Sequence, residues 1–402
     1  MGASTHPAGS GQTGRETGRT RVALRWHLAE EDDEGTLFPD ETAMTRHVGT
    51  GEFRGMEFLH VNARSIINAV PAASRMSFRY TINPYRGCSH ACSYCFARPT
   101  HDYLGLNIGE DFERRIVVKV NAVERLRAEL RSPKWAGEHI AMGTNTDPYQ
   151  SAEGKYHLTQ GVVRTLGELK NPFSILTKST LILRDLELLT AAARRTSVHL
   201  NFSIGTLDRE VWKLTEPGTP PPERRLTAVR RLNDAGVPCG VLVAPVLPGL
   251  SDGDDQVREV VEACVDAGAV SVAAIGLHLR PGVREHFMGW LAAARPDLVP
   301  LYERRFRRGS YQPKAEQARL AAVVAEVVKR RGGGTRQVRR YIEDVGGEDG
   351  VMAAALAAAN GAADADAGAG RAAAVAAARS AAERAATLPA RRTGGGEQLR
   401  LL

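Results

Sequence analysis

Cysteine is scarce in this chain, with five among 402 residues. Three fall within eight positions, Cys88, Cys92 and Cys95, while Cys239 and Cys264 stand far from them. An odd number so distributed argues against a framework of paired disulfides and for a reducing compartment. A run of about 18 apolar residues, which a membrane-crossing helix needs, is also missing. Residues 1–21 are rich in Gly, Ser and Thr and carry no apolar h-region, so no secretory signal is expected. A cytoplasmic location without membrane attachment is the resulting expectation. No Gly-x-Gly-x-x-Gly turn follows the first β-type run, which disfavours a doubly wound dinucleotide-binding sheet.

What is present starts with balance. Charged residues make up 25% and hydrophobic ones 43%, the proportions of a soluble globular protein with a real core. The net charge is +7, and basic doublets recur, as at Arg224-Arg225, Arg304-Arg305 and Arg307-Arg308. Scattered doublets are commonly solvated helix faces. Their crowding over 303–340 is what points toward nucleic acid or another polyanion.

The middle of the chain alternates β-type runs (78–82, 139–142, 173–176, 198–202, 239–243 and 270–275) with helical stretches at 120–130, 181–193, 222–235 and 254–267. Such alternation implies parallel β/α units with right-handed crossovers. Six units predict a partial (β/α)6 barrel of the TIM type, with its site at the C-terminal ends of the strands. The expected organisation is a disordered tail over 1–45, an N-terminal extension over 46–80 and the barrel over 81–310. A basic helical segment over 311–345 and a flexible Ala/Gly-rich tail over 346–402 complete it.

The densest chemistry is Asn83-Pro84-Tyr85-Arg86-Gly87-Cys88-Ser89-His90-Ala91-Cys92-Ser93-Tyr94-Cys95-Phe96-Ala97, with Cys-x3-Cys-x2-Cys spacing. Three thiolates on one short loop suit three irons of a [4Fe–4S] cubane and leave the fourth open to a bidentate small molecule. An electron carrier normally closes its cluster with four cysteines. The rival reading is a structural zinc site completed by His90 or His101, although such sites usually pair two-cysteine knuckles across a longer insert.

Each later strand ends in a polar turn. Gly143-Thr144-Asn145-Thr146-Asp147-Pro148-Tyr149-Gln150 follows the second, Thr177-Lys178-Ser179 the third and Ser203-Ile204-Gly205-Thr206 the fourth. A lysine just past a buried strand end needs an anion to offset its desolvation, and Glu216 with Arg225 can pair near the same rim. Ala244-Pro245 ends strand five, and His278 and Arg280 end strand six, where a substrate would lie.

Together these motifs resemble the radical S-adenosylmethionine superfamily, and within it the spore photoproduct lyase-like (DNA repair photolyase-like) branch and an actinobacterial group of that branch. The resemblance covers roughly residues 51–330 and implies two cofactors, a [4Fe–4S] cluster and S-adenosylmethionine. Cys88, Cys92 and Cys95 would ligate the cluster; Tyr94, Thr146, Asp147, Lys178, Ser203 and Ala244 would line the S-adenosylmethionine site. The implied chemistry is reductive cleavage to a 5′-deoxyadenosyl radical that takes a substrate hydrogen, fed by a flavodoxin- or ferredoxin-type reductant. Nucleic acid is the favoured substrate class, with a peptide, tRNA or small metabolite as the alternative. One departure matters: spore photoproduct lyases carry a hydrogen-donating cysteine at the second-strand loop, and this chain has none between Cys95 and Cys239. Tyrosines such as Tyr85 or Tyr149 could substitute as donors, and the catalytic candidates are His278, Arg280 and Tyr149.

Overall fold

The computed structural model describes residues 44–71 and 78–331. The tail expected over 1–45 (all but its last two residues), the tail expected over 346–402 and positions 332–345 of the basic segment lie outside the described residues. The strands are β1 (Thr45–Val48), β2 (Glu57–Val61), β3 (Ile67–Ala69), β4 (Tyr80–Ile82), β5 (Tyr85–Arg86), β6 (Arg115–Lys119), β7 (Ile140–Met142), β8 (Phe173–Thr177), β9 (Val198–Ser203), β10 (Cys239–Val246) and β11 (Val272–Gly276). The helices are α1 (Glu110–Arg114), α2 (Ala122–Leu130), α3 (Ser151–Tyr156), α4 (Leu158–Glu168), α5 (Leu186–Ala193), α6 (Arg209–Thr215), α7 (Pro222–Asp234), α8 (Asp254–Asp266), α9 (Val283–Ala294), α10 (Val299–Arg305) and α11 (Lys314–Arg330).

The main sheet runs β11-β10-β9-β8-β7-β4-β3. Its six strands from β4 to β11 are parallel, and β3 joins β4 antiparallel. Spatial order follows chain order without reversal, as in a barrel wall and unlike a doubly wound sheet, whose order turns back at a switch point. The fold is the expected partial TIM-type α/β barrel. Strand β10 is buried along most of its length, as strands covered on both faces must be. Helices lay apolar stripes against this wall. Val257, Val260, Val261 and Cys264 of α8 recur at helical spacing, as do Leu320, Val323, Val324 and Val327 of α11, which packs on α8 and covers the edge strand β11.

A second, four-stranded sheet of order β1-β2-β6-β5 was not anticipated. It forms because Arg115-Ile116-Val117-Val118-Lys119 is a β-branched run that pairs in parallel with β2 and antiparallel with β5. Its consequence for the site is direct, because β5 ends at Arg86 and the cysteine loop begins one residue later.

Candidate metal centre

Two walls clamp the cysteine loop. On one side the Thr146 hydroxyl and the Gln150 amide donate to the Gly87 carbonyl at 2.6 and 2.9 Å, and Gln150 Oε1 accepts from the Ser89 N–H at 3.0 Å. His90 Nδ1 lies 3.3 Å from Asp147 Oδ2. On the other side the loop after α6 presses on it: Ser93 N–H donates to the Thr215 carbonyl at 3.0 Å and Gly218 N–H to the His90 carbonyl at 3.1 Å. A Cβ on Gly218 would stand 2.2 Å from the Ser89 carbonyl oxygen, so only glycine fits there. From beneath, the wholly buried Arg98 donates to the Cys92 carbonyl through Nε at 3.1 Å and Nη2 at 2.9 Å. Its remaining donors reach the carbonyls of Ile108 and Gly109, and its charge meets Glu113 at 2.5 Å.

Held this way, Cys88 and Cys92 are buried and Cys95 half-buried, all three as free thiols. Burial first, then the neighbouring Asp147, Cys92 and Cys95, pushes the Cys88 thiol well up; burial pushes Cys92 to about 12. Two buried thiols and a half-buried one on a single short loop fit a metal group that supplies its own positive charge. Among the described residues no three His, Cys, Asp or Glu side chains close round a single ion. Of the two histidines in the zinc reading, His90 sets Nδ1 against Asp147 and His101 gives Nε2 to the Arg115 carbonyl at 3.0 Å. A cubane spreads its ligands over separate corners, which suits this loop.

Beside the thiols, the C-terminal parts of three strands meet. Lys178 Nζ, past β8, donates to Ser203 Oγ at the end of β9 at 2.6 Å and lies 3.4 Å from the Ala244 carbonyl on β10. It pairs with Glu216 Oε1 at 3.1 Å and stands 5.6 Å above the Tyr94 ring. Glu216 also receives the Tyr94 hydroxyl and Arg225 Nη2, the latter at 2.5 Å. Burial alone would raise the Glu216 carboxyl; the Arg225 and Lys178 charges more than offset it and hold it at about 2. Lys178 lies close enough to Cys92 and Cys95 to lower both thiols against the pull of burial. An ammonium and a hydroxyl are thus gathered at the rim next to the loop, the ammonium paired with Glu216 and the hydroxyl donating to the Ala244 carbonyl at 2.6 Å.

The other expected residues fall into two groups. Thr146 and Asp147 are engaged by protein: Asp147 accepts from the Thr177 hydroxyl at 2.7 Å and from the N–H groups of Tyr149 and Lys178 at 2.9 and 2.7 Å. Burial opposes ionisation of Asp147, but His90 and these donors keep its carboxyl below the ordinary range. Tyr149 is sealed in the main core, its hydroxyl near Asp185 and Glu153, and Tyr85 is likewise buried and donates to Glu153 at 2.5 Å. His278 lies at the mouth between Phe96 and Tyr311, with ring centroids at 5.9 and 5.5 Å, and Arg280 is exposed two residues on. Arg98, Gln150 and Gly218 escaped the sequence reading. Arg98 alone had a signal there, a charge three residues past the last cysteine, before a proline.

The cysteine loop thus lies beyond the C-terminal end of the first strand of a parallel α/β barrel wall, the end at which such walls carry their sites. The Radical SAM superfamily model matches residues 82–264. An uncharacterised protein of Mycobacterium tuberculosis is 46% identical over 285 residues, 71% of this chain and 84% of its own length. The fold resembles solved structures of a spore photoproduct lyase point mutant (TM-score 0.51, 19% identity, 69% of this chain and 80% of the other) and of spore photoproduct lyase complexed with dinucleoside spore photoproduct (TM-score 0.50, 19% identity, 68% and 79%). The chain belongs to the radical SAM superfamily. It is an enzyme whose cofactors are a [4Fe–4S] cluster and S-adenosylmethionine.

Proposed function

We propose that this radical SAM enzyme acts on nucleic acid, with Cys88, Cys92 and Cys95 as the cluster ligands. Lys178 and Ser203 receive the polar end of S-adenosylmethionine, and Tyr94 and Ala244 border its nucleoside. The observation that carries the assignment is the convergence of Lys178, Ser203, Ala244 and Glu216 on one point beside Cys92. Thr146 and Asp147 act through the loop they fasten and are positioning residues. When bound and reduced, the cluster and S-adenosylmethionine supply a 5′-deoxyadenosyl radical for hydrogen abstraction.

The chain's own part is to fix the loop, hold Lys178 beside Glu216 and exclude water. Cys239 and Cys264 are wholly buried in the main core, so no thiol outside the loop is placed to return a hydrogen atom. The reaction then differs from one that relies on a second-strand cysteine. His278 and Arg280 are the substrate-side candidates; Tyr149, sealed in the core, is a structural one. The electron comes from a flavodoxin- or ferredoxin-type protein in the cytoplasm, a compartment that keeps the loop thiols reduced. Among the described residues no helix is long and apolar enough to cross a membrane.

Substrate class is tested by 5′-deoxyadenosine formation from reconstituted protein, dithionite and S-adenosylmethionine, with and without denatured DNA, RNA or a peptide and metabolite extract. Nucleic acid should raise the yield several-fold. Stimulation by the extract alone would overturn the reading.

A further inference from the structure

Six large hydrophobic side chains stand exposed among the described residues, and two of them, Phe96 at 45% and Tyr311 at 56%, flank one histidine. They come from opposite ends of the domain: Phe96 follows the last cluster cysteine, and Tyr311 precedes α11. His278 lies between them, stacked on Tyr311 at an interplanar angle of 19° and tilted 31° to Phe96. This assembly is held in place. Tyr311 bridges to His278, Leu279 N–H donates to the Ser310 carbonyl at 2.7 Å, and Arg284 Nη2 reaches the carbonyls of Phe306 and Gly309. Glycine at 282, with φ +83°, lets the start of α9 rest against Pro99, in the segment just after the cysteine loop.

The segments that carry His278 and Tyr311 are rich in cations. Arg280, Arg304, Arg307, Arg308 and Lys314 are all exposed, and none forms an ion pair among the described residues. Glu303 is the lone acid in 303–314. Fixed, exposed aromatics on segments that also carry several exposed arginines without ion pairs among the described residues are poorly explained by folding, because exposed apolar rings cost hydration and neighbouring cations repel. They match what an unstacked nucleobase and its flanking phosphates need: a π face for the base and cations for the backbone.

We infer that Phe96, His278 and Tyr311 form a stacking platform for a nucleobase drawn out of its strand, with Arg280, Arg307 and Arg308 on the adjoining phosphates. The inference rests on the nucleic-acid reading and specifies where the strand lies, at the mouth beside Cys95. Either DNA or RNA supplies this chemistry, and the two are separated by the probes below.

The test is fluorescence anisotropy of full-length, cluster-reconstituted protein with 16-nucleotide single strands of DNA and of RNA, and with a DNA strand lacking its central bases. Iron content and circular dichroism confirm that each variant is folded. Tyr311→Ala should weaken binding of the intact strands about tenfold, the order expected for one lost base–aromatic stack. Tyr311→Phe should retain it, and neither should change affinity for the baseless strand. Arg307→Gln with Arg308→Gln should flatten the slope of log affinity against log salt by about 1.4, near 0.7 for each lost phosphate contact. A wild type that binds strands while Tyr311→Ala and Phe96→Leu bind equally well would overturn the platform alone. No binding of any strand by the wild type, or binding of polypeptide in its place, would overturn the nucleic-acid reading and the platform with it.

Discussion

Replacing Glu216 with Gln should loosen the whole rim. The carboxylate is 5% exposed and sits between Lys178 at 3.1 Å and Arg225 at 2.5 Å. Its carboxyl is held at about 2 against an ordinary 4.5. At about 1.4 kcal/mol for each tenfold in proton affinity, that depression is worth on the order of 3 kcal/mol. An independent argument agrees, since removing one partner of a buried ion pair costs about 3–5 kcal/mol. Glutamine still accepts a hydrogen bond, so the low end applies. For a domain of this size each kcal/mol moves the melting temperature by about 2–4 °C, giving a fall of roughly 6–12 °C. Differential scanning fluorimetry of the reconstituted protein at pH 7 reads it. Asp297→Asn, which breaks an exposed pair with Arg295, is the control and should leave the melting temperature nearly unchanged. The sign with pH follows from the lowered carboxyl: its contribution is complete above pH 4.5 and fades as pH falls toward 2, so Glu216→Gln should flatten that limb in the apo chain. A melting temperature within 2 °C of wild type would refute the reasoning.

Two further substitutions probe the cysteine loop. Arg98→Lys keeps the charge but cannot serve the carbonyls of Cys92, Ile108 and Gly109 and the carboxylate of Glu113 together, so iron retained after desalting should fall by at least half. Wild-type iron content would show that the fork is dispensable. Gly218→Ala forces a methyl to within 2.2 Å of the Ser89 carbonyl; iron incorporation should fail while the circular dichroism of the barrel survives. Full incorporation would mean that the two loops are free to part.

Much of the barrel was legible because its strands are doubly buried. Apolar runs such as Cys239-Gly240-Val241-Leu242-Val243 carry no ambiguity once a helix precedes and follows them, and chain order then fixes sheet order. Lys178, Ser203 and Ala244 were legible for the same reason: each lies at or just past the C-terminal end of an expected strand, and parallel strands bring those ends together. The second sheet was hidden because β5 has two residues and β6 runs almost directly into α2, so neither shows a period of its own. The stretch 181–193 read as one helix. The structure divides it into a 3-10 turn over Thr180–Asp185 and α5, with Arg184 and Asp185 of that turn drawn into the buried network around Glu153. Thr146 and Asp147 stood out by their polarity, which does not say whether a polar side chain faces a ligand or another loop. Arg98 and Gly218 depend on carbonyl groups brought near by the fold, and no spacing in the sequence reports those.

The central claim is that the three-cysteine loop and the Lys178 rim form one working site. It is tested most directly by anaerobic reconstitution and dithionite reduction with S-adenosylmethionine, followed by chromatography for 5′-deoxyadenosine from wild type, Cys92→Ala and Lys178→Ala. The account predicts a brown wild-type protein that yields the product, none from Cys92→Ala, and a rate at least tenfold lower from Lys178→Ala with its iron intact. Product from Cys92→Ala at the wild-type rate, or a colourless wild-type protein, would contradict it.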